Sequence, residues 1–95
     1  MADPVVFEKE MSINHRDFLR LLTRALDGKD IQMKGRDIVV DEGHRRLEIS
    51  LSEESERKIA LITLPVTHVR FVYSGYDDAE GVMAYIDRAF QRGGG

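Results

Sequence analysis

Apolar and polar residues alternate at the start of the chain, in "VVFEKEMSI" (5–13). This period of two predicts a β-strand with one buried face and one exposed face. Lys9 falls on the apolar side, and we expect its aliphatic stem to lie along an edge while its ammonium group reaches water. The predicted inward residues are Val5, Phe7, Met11 and Ile13, and the predicted outward residues are Glu8, Glu10 and Ser12.

The pattern then changes to a helical period in "INHRDFLRLLTRALDG" (13–28). Asn14 is a favourable N-cap, and Asp17 suits the positive end of the helix dipole. Gly28 supplies a residue that readily ends a helix. One apolar stripe runs along this predicted helix and consists of Phe18, Leu21, Leu22, Ala25 and Leu26.

The middle of the chain predicts short antiparallel strands. They cover residues 30–33, 37–41, 45–51, 59–64 and 66–74, with tight turns at 34–36 and 41–44 and a polar loop at 52–58. The segment 59–64, "IALITL", is apolar on both faces, which favours a central or doubly covered strand. Pro65 is expected at a bend between strands, because proline cannot donate to a ladder.

The last element, "YDDAEGVMAYIDRAFQR" (76–92), again has a helical period. Asp77 and Glu80 resemble a capping pair, and Gly81 within the helix suggests close backbone packing. The predicted apolar stripe consists of Ala79, Val82, Met83, Ile86, Ala89 and Phe90.

The element order is therefore β-α-β-β-β-β-β-α. Short connections predict an antiparallel curved sheet with both helices on one face, which is a two-layer α+β sandwich. We expect a single domain over residues 1–92 and a flexible glycine tail at 93–95. The order resembles that of a shortened helix-grip domain, an architecture found in small lipid- and polyketide-binding proteins. A small-ligand domain would hold its ligand between the sheet and the helices, in contact with Tyr73, Tyr85, Met33 and Met83, although residues of these types at such spacing more commonly fill a core.

Composition narrows the class of protein. The 95 residues suffice for one core, and 42% hydrophobic with 33% charged residues is typical of a globular domain. A net charge of −3 argues against a nucleic-acid partner, and the absence of cysteine excludes disulfides and thiolate metal sites. No export signal or membrane-spanning stretch is visible, so we expect a cytoplasmic protein without membrane association.

Three groups of residues are candidates for function. The alternation places Arg46, Glu48, His68 and Arg70 on the face of the sheet opposite the helices, where they form either a solvated face or a surface for a ligand or partner. Arg16, Arg20 and Arg24 form a basic row on the first helix that could contact phosphates or an acidic partner, although a solvated helix face also explains it. The third candidate is the C-terminal pair Gly94 and Gly95, since ubiquitin-like sulfur carriers also end in Gly-Gly.

Catalytic groupings are missing from the sequence. The three histidines lack the spacing of metal ligands, and no nucleophile, nucleotide or metalloprotease motif is present. We therefore expect a protein without cofactors that is a binding or interaction module rather than an enzyme, with self-association through the open sheet face as one mode. The alternatives are a helix-grip-like domain for a small apolar or acidic ligand, and a Gly-Gly carrier protein.

Overall fold

The computed structural model describes residues 3–93 of the chain. The order of elements is the predicted one, and the fold is a two-layer α+β structure with an open antiparallel sheet. The last helix includes Gly93, one residue beyond the predicted end of the domain. The elements are β1 (Val5–Met11), α1 (His15–Ala25), β2 (Ile31–Lys34), β3 (Asp37–Asp41), β4 (Arg46–Leu51), β5 (Ser55–Ile59), β6 (Ile62–Ser74) and α2 (Ala79–Gly93).

The six strands form one sheet in the order β1-β6-β4-β3-β2, and β5 also pairs with β6. Strand β6 is the longest, with 13 residues, and it pairs antiparallel with three other strands. The first strand of the chain therefore lies beside the last one. Both neighbours of β6 in the main sheet cover only its C-terminal part, from Thr67 onward.

Both helices pack on the same face of the sheet, as predicted. Phe18 of α1 is fully buried between two aromatic rings, with centroids 6.4 Å from Phe71 of β6 and 5.1 Å from Phe90 of α2. Alternate side chains of a strand share one face, and those of β4 and β6 that join this core are Leu47, Ile49, Leu51, Val69, Phe71 and Tyr73. The largest fully buried side chains include Tyr73, Phe18, Phe71, Leu22, Ile38, Leu47, Ile49 and Ile86.

Most of the helix signals are confirmed. The Asn14 side chain accepts a hydrogen bond from the Asp17 backbone N–H at 2.8 Å. The prediction of an Asp77–Glu80 cap for α2 was wrong by one residue, because Asp78 caps the helix and its Oδ1 accepts from the Gly81 N–H at 3.0 Å. The close backbone packing expected at Gly81 is not found, because a Cβ there would meet the Asp78 carboxylate, a side chain, and not backbone.

Lys9 lies on the edge strand β1, as expected, but its ammonium group contacts a carboxylate. Its Nζ lies 2.8 Å from Oδ2 of Asp87 on α2, and both side chains are about one third exposed. The apolar side of β1 thus carries a cation because α2 supplies a carboxylate above it, and the pair joins the edge strand to the helix layer.

The prediction for residues 52–64 was wrong. Residues 52–58 are not all loop, since β5 occupies Ser55–Ile59, and "IALITL" is not a central strand. Ala60 and Leu61 instead form the two-residue turn of a hairpin between β5 and β6. This hairpin, residues 55–66, extends beyond the rest of the sheet, and we refer to it as the arm. Its apolar residues mark an exposed tip and not a covered strand.

Pro65 lies inside β6 rather than between strands, paired with Glu56. In an antiparallel hairpin, hydrogen-bonded and non-hydrogen-bonded residue pairs alternate, and the pair next to a two-residue turn is hydrogen-bonded. Ile59 and Ile62 form that first pair. Glu56 and Pro65 form the fourth pair, which is therefore not hydrogen-bonded. The nitrogen of Pro65 points away from β5, toward the side where the β1 ladder has already ended at Thr67. The missing N–H therefore costs no ladder bond.

A β-bulge joins β4 to β5. Leu51 pairs with Val69, and Ser55 pairs with Val66. Three residues, 52–54, therefore lie opposite only two residues of β6, 67 and 68. Ser52 accommodates the extra residue, because its N–H donates to the His68 carbonyl and its Oγ accepts from the His68 N–H, each at 2.9 Å. The bulge is fixed to α1, since Nε2–H of His15 donates to the Ser52 carbonyl at 2.7 Å and Glu54 accepts from the His15 N–H at 2.7 Å.

Gly75 provides a test of backbone packing. It has a φ of 77°, and a Cβ there would collide with the carbonyl oxygen of His44. We expect Gly75→Ala to cost roughly 2–4 kcal/mol in the free energy of unfolding, since strain from positive φ adds to a clash with backbone. Chemical denaturation gives the value.

Gly35→Ala is the matched control for that substitution. Gly35 has a φ of 62° but nothing within 4 Å of the position of a Cβ. Gly35→Ala should therefore lower the free energy of unfolding only by the cost of positive φ, about 1 kcal/mol. Equal losses for the two variants would contradict the close approach between residues 44 and 75.

Candidate interaction surface

The face of the sheet opposite the helices, called the outer face here, carries four of the predicted site residues. Arg46 and Glu48 on β4 and His68 and Arg70 on β6 are all exposed there. Arg46 is already paired, with its Nε 3.3 Å from Oε1 of Glu48 and its Nη1 4.0 Å from Oδ2 of Asp41. The structure therefore brings these four residues onto one face, but it engages the guanidinium of Arg46 with neighbouring carboxylates.

Two further ion pairs cross the middle of the outer face. Nε of Arg70 lies 3.8 Å from Oε1 of Glu8, and Arg57 of the arm contacts Glu10. These pairs are largely exposed, and such pairs contribute about 0–1 kcal/mol each. We call Glu8, Glu10, Arg57 and Arg70 the charged band; it contains two acids and two bases and is electrically balanced.

A small apolar area borders the charged band on the side away from the arm. Val6 of β1 is directly opposite Val72 of β6, and Val72 in turn lies opposite Glu48, which pairs with Val39 of β3. We call Val6, Val72 and Val39 the valine patch; Val6 and Val72 are direct neighbours, and the exposed Glu48 lies between Val72 and Val39. Val6 is 43% exposed and the other two are half-buried. Neither helix covers them, since both pack on the opposite face.

The arm carries the two most exposed large apolar side chains of the described residues, Leu61 and Ile62, and Ile59 is exposed beside them. Leu61 at the turn is fully exposed, at 102%, and Ile62 and Ile59 are 60% and 53% exposed. Arg57 is opposite Leu64 in the arm and also contacts Glu10 of the outer face. This contact places the row of Leu64 on the same side as the outer face. The outer face therefore continues along the arm as an apolar surface.

The turn of the arm is strained. Ala60 has a φ of 55°, and it is the one non-glycine residue with positive φ among residues 3–93. A single positive φ at the first position of a two-residue hairpin turn is characteristic of a type II′ turn, where glycine is the usual residue. Residues held in this region cost on the order of 1 kcal/mol and are enriched at functional sites.

A second candidate site is a half-open cleft of about 460 Å³ between the end of α1, the first half of α2 and the sheet. Its apolar lining includes Leu26, Val40 and Tyr85. The position is the one predicted for a small-ligand domain, but the residues differ. Among the predicted contacts only Tyr85 lines the cleft. Tyr73 and Met83 are buried in the core, with the Tyr73 hydroxyl 3.3 Å from the Met83 sulfur, and Met33 is exposed on β2.

Charged residues form the polar wall of the cleft. Nζ of Lys29 lies 2.6 Å from Oε1 of Glu42, and Nε of Arg45 lies 2.7 Å from Oε2 of the same carboxylate. The hydrogen bonds from Lys29 and then from Arg45 hold the pKa of Glu42 below its ordinary value. The Arg45 guanidinium also lies 4.9 Å from the centre of the Tyr76 ring. Both cations are thus engaged, which weakens the case for an acidic ligand in this cleft.

The structure adds little support for the remaining candidate sites. Arg16, Arg20 and Arg24 are exposed on α1, and Nη2 of Arg20 lies 3.8 Å from Oδ1 of Asp17. Gly94 and Gly95 lie outside the described residues. Within residues 3–93, no three His, Cys, Asp or Glu side chains are grouped closely enough to hold a metal ion. Neither helix in this part of the chain has the length and apolar character needed to cross a membrane.

The fold and its surfaces define a small α+β sandwich with an uncovered sheet face and a projecting hairpin. Comparison with known proteins adds no family to this description: no family model, no curated protein and no solved structure matches the chain. The likeness to helix-grip domains is therefore one of element order alone. Alternation along the strands predicts the four outer-face residues, whereas the arm was not predicted, although the apolar run at 59–64 was its signal.

The charged wall of the cleft predicts an acid-dependent contribution to stability. Because the folded-state pKa of Glu42 is depressed below 4.5, the carboxylate stabilises the fold above that pH and loses this effect as pH falls through its folded-state pKa. Glu42→Gln should therefore lower the free energy of unfolding by up to about 1 kcal/mol at neutral pH. The deficit should shrink as the pH is lowered past 4.5 in denaturation curves.

Glu53→Gln serves as the control for charge alone, because the Glu53 side chain is 88% exposed and lies 3.7 Å from Arg36. It should change stability little at any pH. A deficit of Glu42→Gln that is independent of pH would show that the Lys29–Glu42–Arg45 contacts do not depend on the charge of the carboxylate.

The strained turn predicts a stabilising substitution. Ala60→Gly should raise the free energy of unfolding by about 1 kcal/mol, since glycine occupies positive φ without a steric penalty. Thermal denaturation measures the change. Leu61→Gly, at the neighbouring turn position without positive φ, should instead destabilise the arm. A loss of stability in Ala60→Gly would contradict the turn conformation.

Proposed function

We propose that this protein is a protein-interaction module that binds its partner with the outer face of the sheet and with the arm. The observation that carries the proposal is the arm itself. Its apolar side chains, Ile59, Leu61 and Ile62, are exposed in the monomer. None of them belongs to the buried core cluster.

The energetics of the arm favour a partner. A two-stranded hairpin standing alone in water is only marginally stable, so the exposed tip of the arm gains little by itself. Complete burial of one large aliphatic side chain contributes about 1.5–3 kcal/mol, so covering three of them would stabilise a complex substantially. An apolar surface of this kind next to a polar area is typical of interaction sites.

A small-ligand domain is the second candidate, and the cleft beside Tyr85 is the observation that favours it. Its apolar lining and polar wall are the features of ligand pockets in general. The interaction proposal is stronger because the cations of the cleft already share the Glu42 carboxylate, whereas Ile59, Leu61 and Ile62 of the arm lie outside the core cluster.

The experiment uses a variant with a polar arm, Leu61→Ser/Ile62→Thr. Both side chains are exposed, so the fold should be retained, and circular dichroism with thermal denaturation checks this. Tagged wild type and variant are used to recover binding proteins from the native lysate, and light scattering reports on self-association. We expect wild type to retain a bound protein or to form a dimer. In the arm variant, the amount of bound protein or of dimer should fall at least tenfold.

Met33→Thr is the matched control, because Met33 is 55% exposed but lies on β2, far from the arm in the strand order. It should behave as wild type. The proposal is wrong if binding is equal in all three proteins, or if wild type neither self-associates nor retains any protein. A metabolite that raises the melting temperature and whose effect is lost in Tyr85→Ala would favour the ligand alternative.

A further inference from the structure

We propose, on the basis of the interaction function above, that the partner is a second copy of this chain. The two outer faces pack against each other with their β6 strands antiparallel, so that the arm of each copy covers the valine patch of the other. Such an interface is isologous, because the same surface is used twice about a two-fold axis.

The spacing of apolar residues along β6 fits this arrangement. Ile62 of the arm and Val72 of the valine patch belong to the same strand and are ten residues apart. At about 3.3 Å per residue they are roughly 33 Å apart along the strand. The midpoint of this distance lies beside His68, in the charged band. A two-fold axis at that midpoint places each arm over the partner's valine patch, so both apolar areas are covered at once.

The charges of the outer face are compatible with self-association. The band between the two apolar areas has two acids and two bases, each base in contact with an acid of the same chain. Around the proposed axis this band meets its own symmetry mate. Because it has no net charge, the two copies face each other without net repulsion, although the whole chain has a net charge of −3.

Packing face to face is favoured over pairing edge to edge. Residues 62–66 of β6 have a free edge on the side where β1 ends, and such an edge could in principle recruit another strand. Pro65 points its nitrogen toward this edge and offers no N–H there, so it interrupts the ladder that a second copy would need. The apolar side chains of the arm project from its face, which leaves face packing as the way to cover them.

The area available is sufficient for a weak dimer. Strand β6 with its neighbours provides a surface roughly 40 Å long and about three strands wide, or about 600 Å² for each copy. Specific interfaces average about 800 Å² for each partner, so this one lies at the low end of the range. We therefore expect a monomer–dimer equilibrium at micromolar concentrations rather than an obligate dimer.

Cross-linking tests the arrangement directly, because the chain contains no cysteine. Two single variants, Ile62→Cys and Val72→Cys, are prepared and mixed with a bismaleimide that spans roughly 10 Å, the distance between packed sheets. We expect a covalent dimer linking position 62 of one copy to position 72 of the other, identified by peptide mass. His68→Cys should cross-link with itself, since it lies beside the axis. Thr23→Cys, exposed on α1, should not.

Charge substitutions provide an independent readout. Arg70→Glu makes the band negative and should weaken dimerisation at least tenfold in sedimentation equilibrium, whereas Glu8→Arg/Arg70→Glu restores the balance and should recover most of the affinity. Both side chains are largely exposed, so the fold should be retained.

The outcomes separate the two proposals. A wild type that is monomeric at all concentrations would overturn the dimer, while the interaction function would survive if another protein binds and depends on the arm. A dimer that yields no link between positions 62 and 72 would overturn the antiparallel arrangement but not self-association. A dimer unaffected by the polar arm variant would overturn both.

Discussion

The structure depends on the hydrogen bonding of a single strand, β6. This strand pairs with β1 on one side and with β4 and then β5 on the other. Its C-terminal part supplies Val69, Phe71 and Tyr73 to the core beneath the helices. Its N-terminal part leaves that core and forms one side of the arm. The same strand therefore transmits the rigidity of the core to a hairpin that would be only marginally stable alone.

The bulge at residues 52–54 determines which way the arm faces. Side chains alternate along a strand, so one additional residue exchanges the inward and outward positions that follow it. On β4 the outward residues have even numbers, such as Arg46 and Glu48, whereas on β5 they have odd numbers, such as Arg57 and Ile59. Contacts of His15 with this segment hold the bulge to α1, which was not visible from sequence because it joins residues 37 and 39 positions apart.

Local patterns were sufficient to predict most of the fold. The helices, the first four strands and the identity of the core face follow from period, caps and turn residues, because these signals lie within a few residues of one another. The arm was missed because "IALITL" has the apolar content of a buried strand. The difference between a buried strand and an exposed tip depends on what lies above it, and that information is not local. The position of Pro65 was mispredicted for the same reason, because proline is tolerated inside a strand where the neighbouring strand has already ended.

The candidate surface combines features that are unfavourable in an isolated monomer. The turn of the arm holds Ala60 at positive φ, and Leu61 and Ile62 are exposed beside it. Neither feature is required by the core, whose buried cluster is complete without the tip. We propose that interactions outside the monomer offset this strain and exposed apolar area, because the Arg57–Glu10 contact contributes little in water. Association through the arm would bury the apolar tip, so binding and ordering of the arm would be coupled.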